Sequence, residues 1–106
     1  MATLSATFPP KSASGGISDS QTFTIAAAGT QSVTIGIRQL FALSTTGAIF
    51  VRFSFGSNST ATTADFSIPG ANISQFDNGD EFDRVNILNN GASSVIVSVM
   101  RLNRAG

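Results

Sequence analysis

The chain has 106 residues with no His, Cys, Trp or Tyr, one lysine, and charged side chains at only 11% of positions. Without His or Cys, the Ser-His-Asp, Cys-His and zinc constellations are excluded by composition alone. Six basic and six acidic residues cancel to a formal net charge of zero. No long-range field therefore draws in phosphate backbones or anionic lipid, and neither nucleic acid nor membrane is expected as a partner.

This length allows one domain with an adequate core. With no Cys there is no disulfide framework, which fits assembly in a reducing cytoplasm. Met1 to Pro10 lacks the basic and apolar regions of a leader, and no apolar run approaches the roughly 20 residues of a spanning helix. The expectation is a soluble chain used whole. Soluble domains carry about a quarter of their residues as Asp, Glu, Lys or Arg, and a surface this poor in charge is most easily understood if neighbouring subunits cover much of it.

Residues 1–17 differ in character from the rest of the chain. Phe8-Pro9-Pro10 favours an extended path, and Ser12-Ala13-Ser14-Gly15-Gly16 has neither periodicity nor bulk. The segment reads as an N-terminal arm ahead of a domain over 18–106, held by the domain's own sheet edge or by an adjacent molecule.

From Gln21 the period is two. Phe23 and Ile25 alternate with Thr22 and Thr24, Gly29-Thr30 marks a turn, and Val33, Ile35 and Ile37 alternate with Thr34, Gly36 and Arg38, the pattern of a hairpin. A third segment runs from about Leu40 to Leu43 and turns at Thr45-Thr46-Gly47 into Ala48 through Phe55. There Ile49, Val51, Phe53 and Phe55 share one face, with Phe50, Arg52 and Ser54 on the other. Gly56 to Thr60 is a loop by composition, and Thr62 to Ile68 is a short strand closed by Pro69-Gly70. A short piece around Phe76 precedes Asn78-Gly79, a hairpin dipeptide, and Arg84 through Leu88 extends to a second turn at Asn89-Asn90-Gly91. In the last strand, Ser94 to Leu102, Val95, Val97 and Val99 face one way and Ile96, Met100 and Leu102 the other. A strand apolar on both faces lies centrally between layers or beneath a partner. Seven or eight short strands and no helical period predict an all-β fold, an antiparallel β-sandwich or jelly roll.

Asp77-Asn78-Gly79-Asp80-Glu81-Phe82-Asp83 is the densest acidic cluster. It offers oxygens to a hard cation, but the spacing is not that of an EF-hand, and a hairpin tip collects Asp, Asn and Gly for their dihedrals. A solvated turn is expected, with no metal and no cofactor. Paired carboxylates for glycoside chemistry would have to come from Asp65 with Asp77, Asp80 or Asp83, and no Trp or Tyr platform accompanies them. No catalytic residue is assigned and no enzyme is expected.

Arg38, Arg52, Arg84 and Arg101 each sit in or beside a predicted strand, where arginine pairs with carboxylates either within the subunit or across an interface. All nine aromatics are Phe, suited to filling a core. Phe8, in the arm, is the exception. The interface candidates are Phe8, Pro9, Pro10, Phe50, Arg52 and Arg101.

Three stretches, Ala48 to Gly56 (AIFVRFSFG), Thr60 to Pro69 (TATTADFSIP) and Asp83 to Leu88 (DRVNIL), together resemble the small all-β virion proteins of tailed bacteriophages. The resemblance covers roughly half the chain and carries no catalytic motif. It implies a structural protein of the virion, assembled in the host cytoplasm: a capsid cement or decoration protein stabilising the phage head. Its partners would be itself, as a homo-oligomer, by this resemblance a trimer, and the major capsid protein or other virion proteins. The alternative is a small tail, neck or fibre-associated module that binds a host surface glycan or another tail protein, a role that Trp or Tyr at loop tips would have favoured.

Overall fold

A computed structural model describes residues 4–7 and 19–102. Nine strands lie among them: β1 (Leu4–Thr7), β2 (Asp19–Ile25), β3 (Thr30–Thr34), β4 (Leu40–Thr45), β5 (Ile49–Ser54), β6 (Phe66–Ile68), β7 (Asn72–Asp77), β8 (Arg84–Leu88) and β9 (Val95–Leu102). A first sheet has the order β1-β3-β8-β5-β6 and a second the order β2-β9-β4-β7. The described residues contain no helix.

From β1 to β5 and again from β6 to β9 the chain changes sheet at every step. Only β5 and β6 are consecutive strands paired with each other. This interleaving of two antiparallel four-stranded layers is the connectivity of a jelly roll. Outside it, β1 adds to the edge of the first sheet and runs parallel to β3.

Alternation explains the core. Val33 and Ile35, Ile49 and Val51, and Val85 and Ile87 point inward from the first sheet; Phe41, Leu43, Val95, Val97 and Val99 meet them from the second, all nearly or fully buried. At one end of the sandwich the filling is aromatic. Phe53 stacks on Phe82 with centroids 4.2 Å apart, Phe41 lies 5.4 Å from Phe76, and edge contacts join the two pairs. Such offset and edge-on arrangements suit ring quadrupoles.

The hairpins read from the sequence are not formed. β2 pairs with β9 while β3 pairs with β8, so the turn at Gly29 carries the chain from one sheet to the other. The Gly29 amide donates to Ala26 O at 2.8 Å, and a Cβ on Gly29 would lie 2.8 Å from that same oxygen, too close for any side chain without a shift. Neither Asn78-Gly79 nor Asn89-Asn90-Gly91 is a hairpin tip; each joins strands of different sheets.

Both asparagines are buried, because their side chains satisfy backbone groups that the crossings leave without a ladder partner. Asn78 Nδ2 donates to Gly36 O and Phe82 O at 2.6 Å each, and its Oδ1 accepts from the Gln39 amide at 2.7 Å. At the other end, Asn89 Nδ2 donates to Ile25 O and Ser93 O, and its Oδ1 accepts from the Gly91 amide.

Three further readings are corrected. Among the described residues the count is nine strands and not seven or eight, the added one being β1 within the segment read as an arm; of the two holds left open for that segment, residues 4–7 take the domain's own sheet edge. Phe55 is 60% exposed, because β5 ends at Ser54 and Gly56 (φ 81°) turns the chain away before the inward face is reached. Phe66 is also more than half exposed, at the open side of the sandwich, so the phenylalanines do not all fill the core.

Candidate interaction surfaces

The outer face of the first sheet holds much of the charge, and the β5–β6 connection lies over it. Arg52 Nε donates to the Asp65 carboxylate at 3.1 Å and its Nη1 to Ser59 Oγ at 3.2 Å. Arg84 Nη1 donates to Asn58 Oδ1 at 2.9 Å and its Nε lies 3.5 Å from Asp83 Oδ1. Between them Asn86, buried, donates to Arg52 O and Ser54 Oγ and accepts from Ser32 Oγ and the Ser59 amide. This network keeps the loop down. The Thr62 amide, donating at 2.7 Å, and then the Arg52 guanidinium hold the Asp65 carboxyl below its ordinary range.

Sequence reasoning left the arginine pairing open between intrachain and interchain. The observed pairs are intrachain: Arg38 with Asp80, Arg52 with Asp65, Arg84 with Asp83. Arg101, named as an interface candidate, is instead 3% exposed and donates to Ile35 O at 3.3 Å. It shares the inward parity of Val95, Val97 and Val99, so a neighbouring subunit does not reach its side chain. Arg52 is half-buried and already engaged.

The acidic turn does not converge on a point. Asp80 takes Arg38, Asp83 Oδ1 accepts from the Gly56 amide, and Asp77 Oδ1 accepts from the Gly79 amide. Among the described residues no three acidic groups stand where they could share a metal ion. Asp65 is committed elsewhere, to Thr62 and Arg52.

Phe50 is half-buried beside a cleft of about 500 Å³ that opens between the β4–β5 turn and the β8–β9 connection. Thr46, Gly47, Ala48 and the 89–95 segment form the rest of its wall. No lining residue is charged. Phe8, Pro9 and Pro10 lie outside the described residues.

The outer face of the second sheet is different in kind. Register sets its rows across β2, β9, β4 and β7: Thr22, Ser98, Ser44 and Ile73 form one, and Ser20, Met100, Ala42 and Gln75 the next. Thr24 and Ile96 flank the first row; Leu102, Leu40 and Asp77 flank the second. Thr22 Oγ1 and Ser98 Oγ lie 3.0 Å apart. Ile73 is 73% exposed, Ile96 48% and Met100 38%. Asp77, at a corner, is the one ionisable group in these rows. Sequence reasoning singled out Phe50 and Arg52 and, of this face, only the Ser94 to Leu102 strand, read as lying centrally or beneath a partner. Its signal was present in the apolar outer positions of Ser94 to Leu102, but the neighbours Ala42, Ser44 and Thr22 come from strands whose pairing the period alone does not assign.

No family model matches the sequence, and no curated protein matches it. Among solved structures, the fold is similar to a de novo designed double-stranded β-helix determined by solution NMR, with TM-score 0.58 and 11% identity over 78% of this chain and 97% of that one. It is also similar to the crystal structure of PliG from Aeromonas hydrophila, a periplasmic lysozyme inhibitor of g-type lysozyme, with TM-score 0.55 and 14% identity over 94% of this chain and 99% of that one. At these identities the likeness is one of fold.

Proposed function

We propose that the protein is a non-catalytic structural subunit of a virion, a decoration or cement protein that stabilises a capsid through subunit contacts. The observation that carries this reading is the outer face of the second sheet, which among the described residues bears no basic group and turns Ile73, Ile96 and Met100 to solvent. Three large exposed apolar side chains gathered on one sheet face, spaced by Ser98, Ser44 and Ala42, suit contact with a neighbouring subunit better than a fully solvated surface. The intrachain engagement of Arg38, Arg52 and Arg84 supports contact by shape over charge steering. The sequence resemblance to small virion proteins supplies the particle. On a lattice, many weak contacts hold tightly because each bound copy raises the effective concentration of the next.

The uncharged cleft beside Phe50 favours a second reading, a tail- or fibre-associated module that holds a neutral glycan against that ring. Quantitative mass spectrometry of purified virions separates the two. The decoration reading expects copies in fixed proportion to the major shell protein. A handful of copies per particle would support the tail module, and absence from the particle would overturn both.

A further inference from the structure

Among the described strands β1 is the one joined in parallel. Its ladder to β3 covers four residues, from Leu4 against Gln31 to Thr7 against Thr34. Three of those four residues are exposed, Leu4 at 61%. The strand beneath is not: Gln31, Ser32 and Val33 are each 4% exposed or less. β3 carries no charge and no proline, the devices that keep a bare edge from pairing with other chains. So β1 adds little to the core and covers an edge that pairs readily.

Two side chains of the domain complete the seat. Asn58 Nδ2 donates to Ser5 Oγ at 2.8 Å, and Gln21 Nε2 donates to Thr7 O at 3.2 Å. Asn58 is itself placed by Arg84, whose Nη1 donates to its Oδ1 at 2.9 Å. The seat thus belongs to the domain and reads an extended segment by its backbone and one hydroxyl, the mode of strand addition. Each of these contacts is equally open to residues 4–7 of a second copy, which fit the same register by identity. The connection decides between the two occupants. Residues 8–18, outside the described residues, join Thr7 to β2, and the Gln21 contact means that in cis they return the chain close to where it left. Pro9-Pro10 favours an extended path, which carries a strand outward as readily as back, and exchange of an identical element is a low-cost route to association. A tether this short offers its own strand at an effective concentration on the order of millimolar. Dilute chains therefore keep β1 in cis, and chains packed at that density exchange it.

We infer that β1 is an exchangeable strand: it leaves β3 without unfolding the sandwich, and the vacated edge takes residues 4–7 of another copy. The inference stands apart from the virion reading; on a shell lattice, where copies are held close, the exchange would link neighbours.

Two measurements on the full chain test this. Hydrogen exchange of the wild type, followed by NMR, is expected to show the amides of residues 4–7 exchanging at least about 100-fold faster than those of β8, because a strand with few buried contacts opens locally. Exchange of both at one rate means that β1 leaves only when the domain unfolds, and overturns the inference. The second measurement uses the absence of native Cys. Ser5→Cys chains and Asn58→Cys chains are mixed, incubated and treated with a short bismaleimide. Neither variant has a thiol partner in cis, so a mixed dimer is favoured only when β1 of one chain sits beside residue 58 of the other. At about 1 mM the mixed dimer is expected to exceed the two like dimers together by about 10-fold, and at about 1 µM to vanish. The Ser5→Cys/Asn58→Cys double variant, linked within one chain at about 1 µM, verifies that both substitutions leave the seat intact. Mixed dimers no more abundant than like dimers at the higher concentration overturn exchange, and a double variant that does not link in dilution overturns the seat itself.

Discussion

Replacing Asn78 by Ala removes three hydrogen bonds from a residue only 2% exposed. The Gln39 amide loses its 2.7 Å acceptor, and Gly36 O and Phe82 O each lose a 2.6 Å donor. A neutral hydrogen bond contributes about 1 kcal/mol net, and a buried group left without a partner costs about 1–3 kcal/mol. Water entering the vacated space offsets part of that, so the expected loss is about 3–5 kcal/mol, a large share of the 5–15 kcal/mol typical of a domain. Urea unfolding followed by circular dichroism measures it, with the m-value unchanged if the native fold is retained. Glu81→Ala, in the same turn but exposed, is the control and is expected to stay within about 0.5 kcal/mol of the wild type. If Asn78→Ala also stays within about 1 kcal/mol, the asparagine is not the pin that ties the β3–β4 and β7–β8 crossings, and the account of the turn is wrong.

Three further outcomes are expected. The folded Asp65 carboxyl titrates below its ordinary value, so its contribution is present above that value and is lost as pH falls through the lowered one. Asp65→Asn should accordingly be less stable than the wild type at neutral pH and converge with it in acid; a gap that persists at the lowest pH would refute the linkage. Thermal melts in calcium and in a chelator should coincide, because Asp77, Asp80 and Asp83 face separate partners; a rise of several degrees in calcium would make the turn a cation site. Removing residues 1–16 should leave the two four-stranded layers folded and lower the midpoint by less than about 10 °C, since Leu4 is 61% exposed and β1 is held by its ladder to β3 and by exposed hydrogen bonds from Gln21 and Asn58. Unfolding of the truncated chain at room temperature would show that β1 belongs to the core fold.

The period of two in Val95, Val97 and Val99 made the inner face of β9 legible, and the turn residues placed the ends of β8 and β9, but the strand read over Thr62 to Ile68 begins only at Phe66, because Thr62 to Asp65 close a turn, and the one read through Ile37 ends at Thr34. What the alternation does not encode is which sheet a strand joins, since period two distinguishes faces and not partners. That is why Phe23–Ile25 and Val33–Ile37 read as a hairpin although β2 and β3 lie in opposite layers. The buried asparagines were hidden for a related reason. Asn beside Gly is the signature of an exposed tip, and only the sheet crossing supplies Asn78 and Asn89 with carbonyls to bind. Arg101 read as a surface group because its charge outweighed its place in the inward series of β9. The outer face of the second sheet combines residues from four strands brought together by the interleaved topology, so no contiguous stretch of sequence announces it.

The central claim, that the protein acts as a repeated contact on a particle, is tested most directly by electron microscopy of virions labelled with an antibody to this chain. The account predicts label spread over the head in register with the shell lattice. Label confined to a single vertex or to the tail, or no label on particles that are otherwise complete, would contradict it.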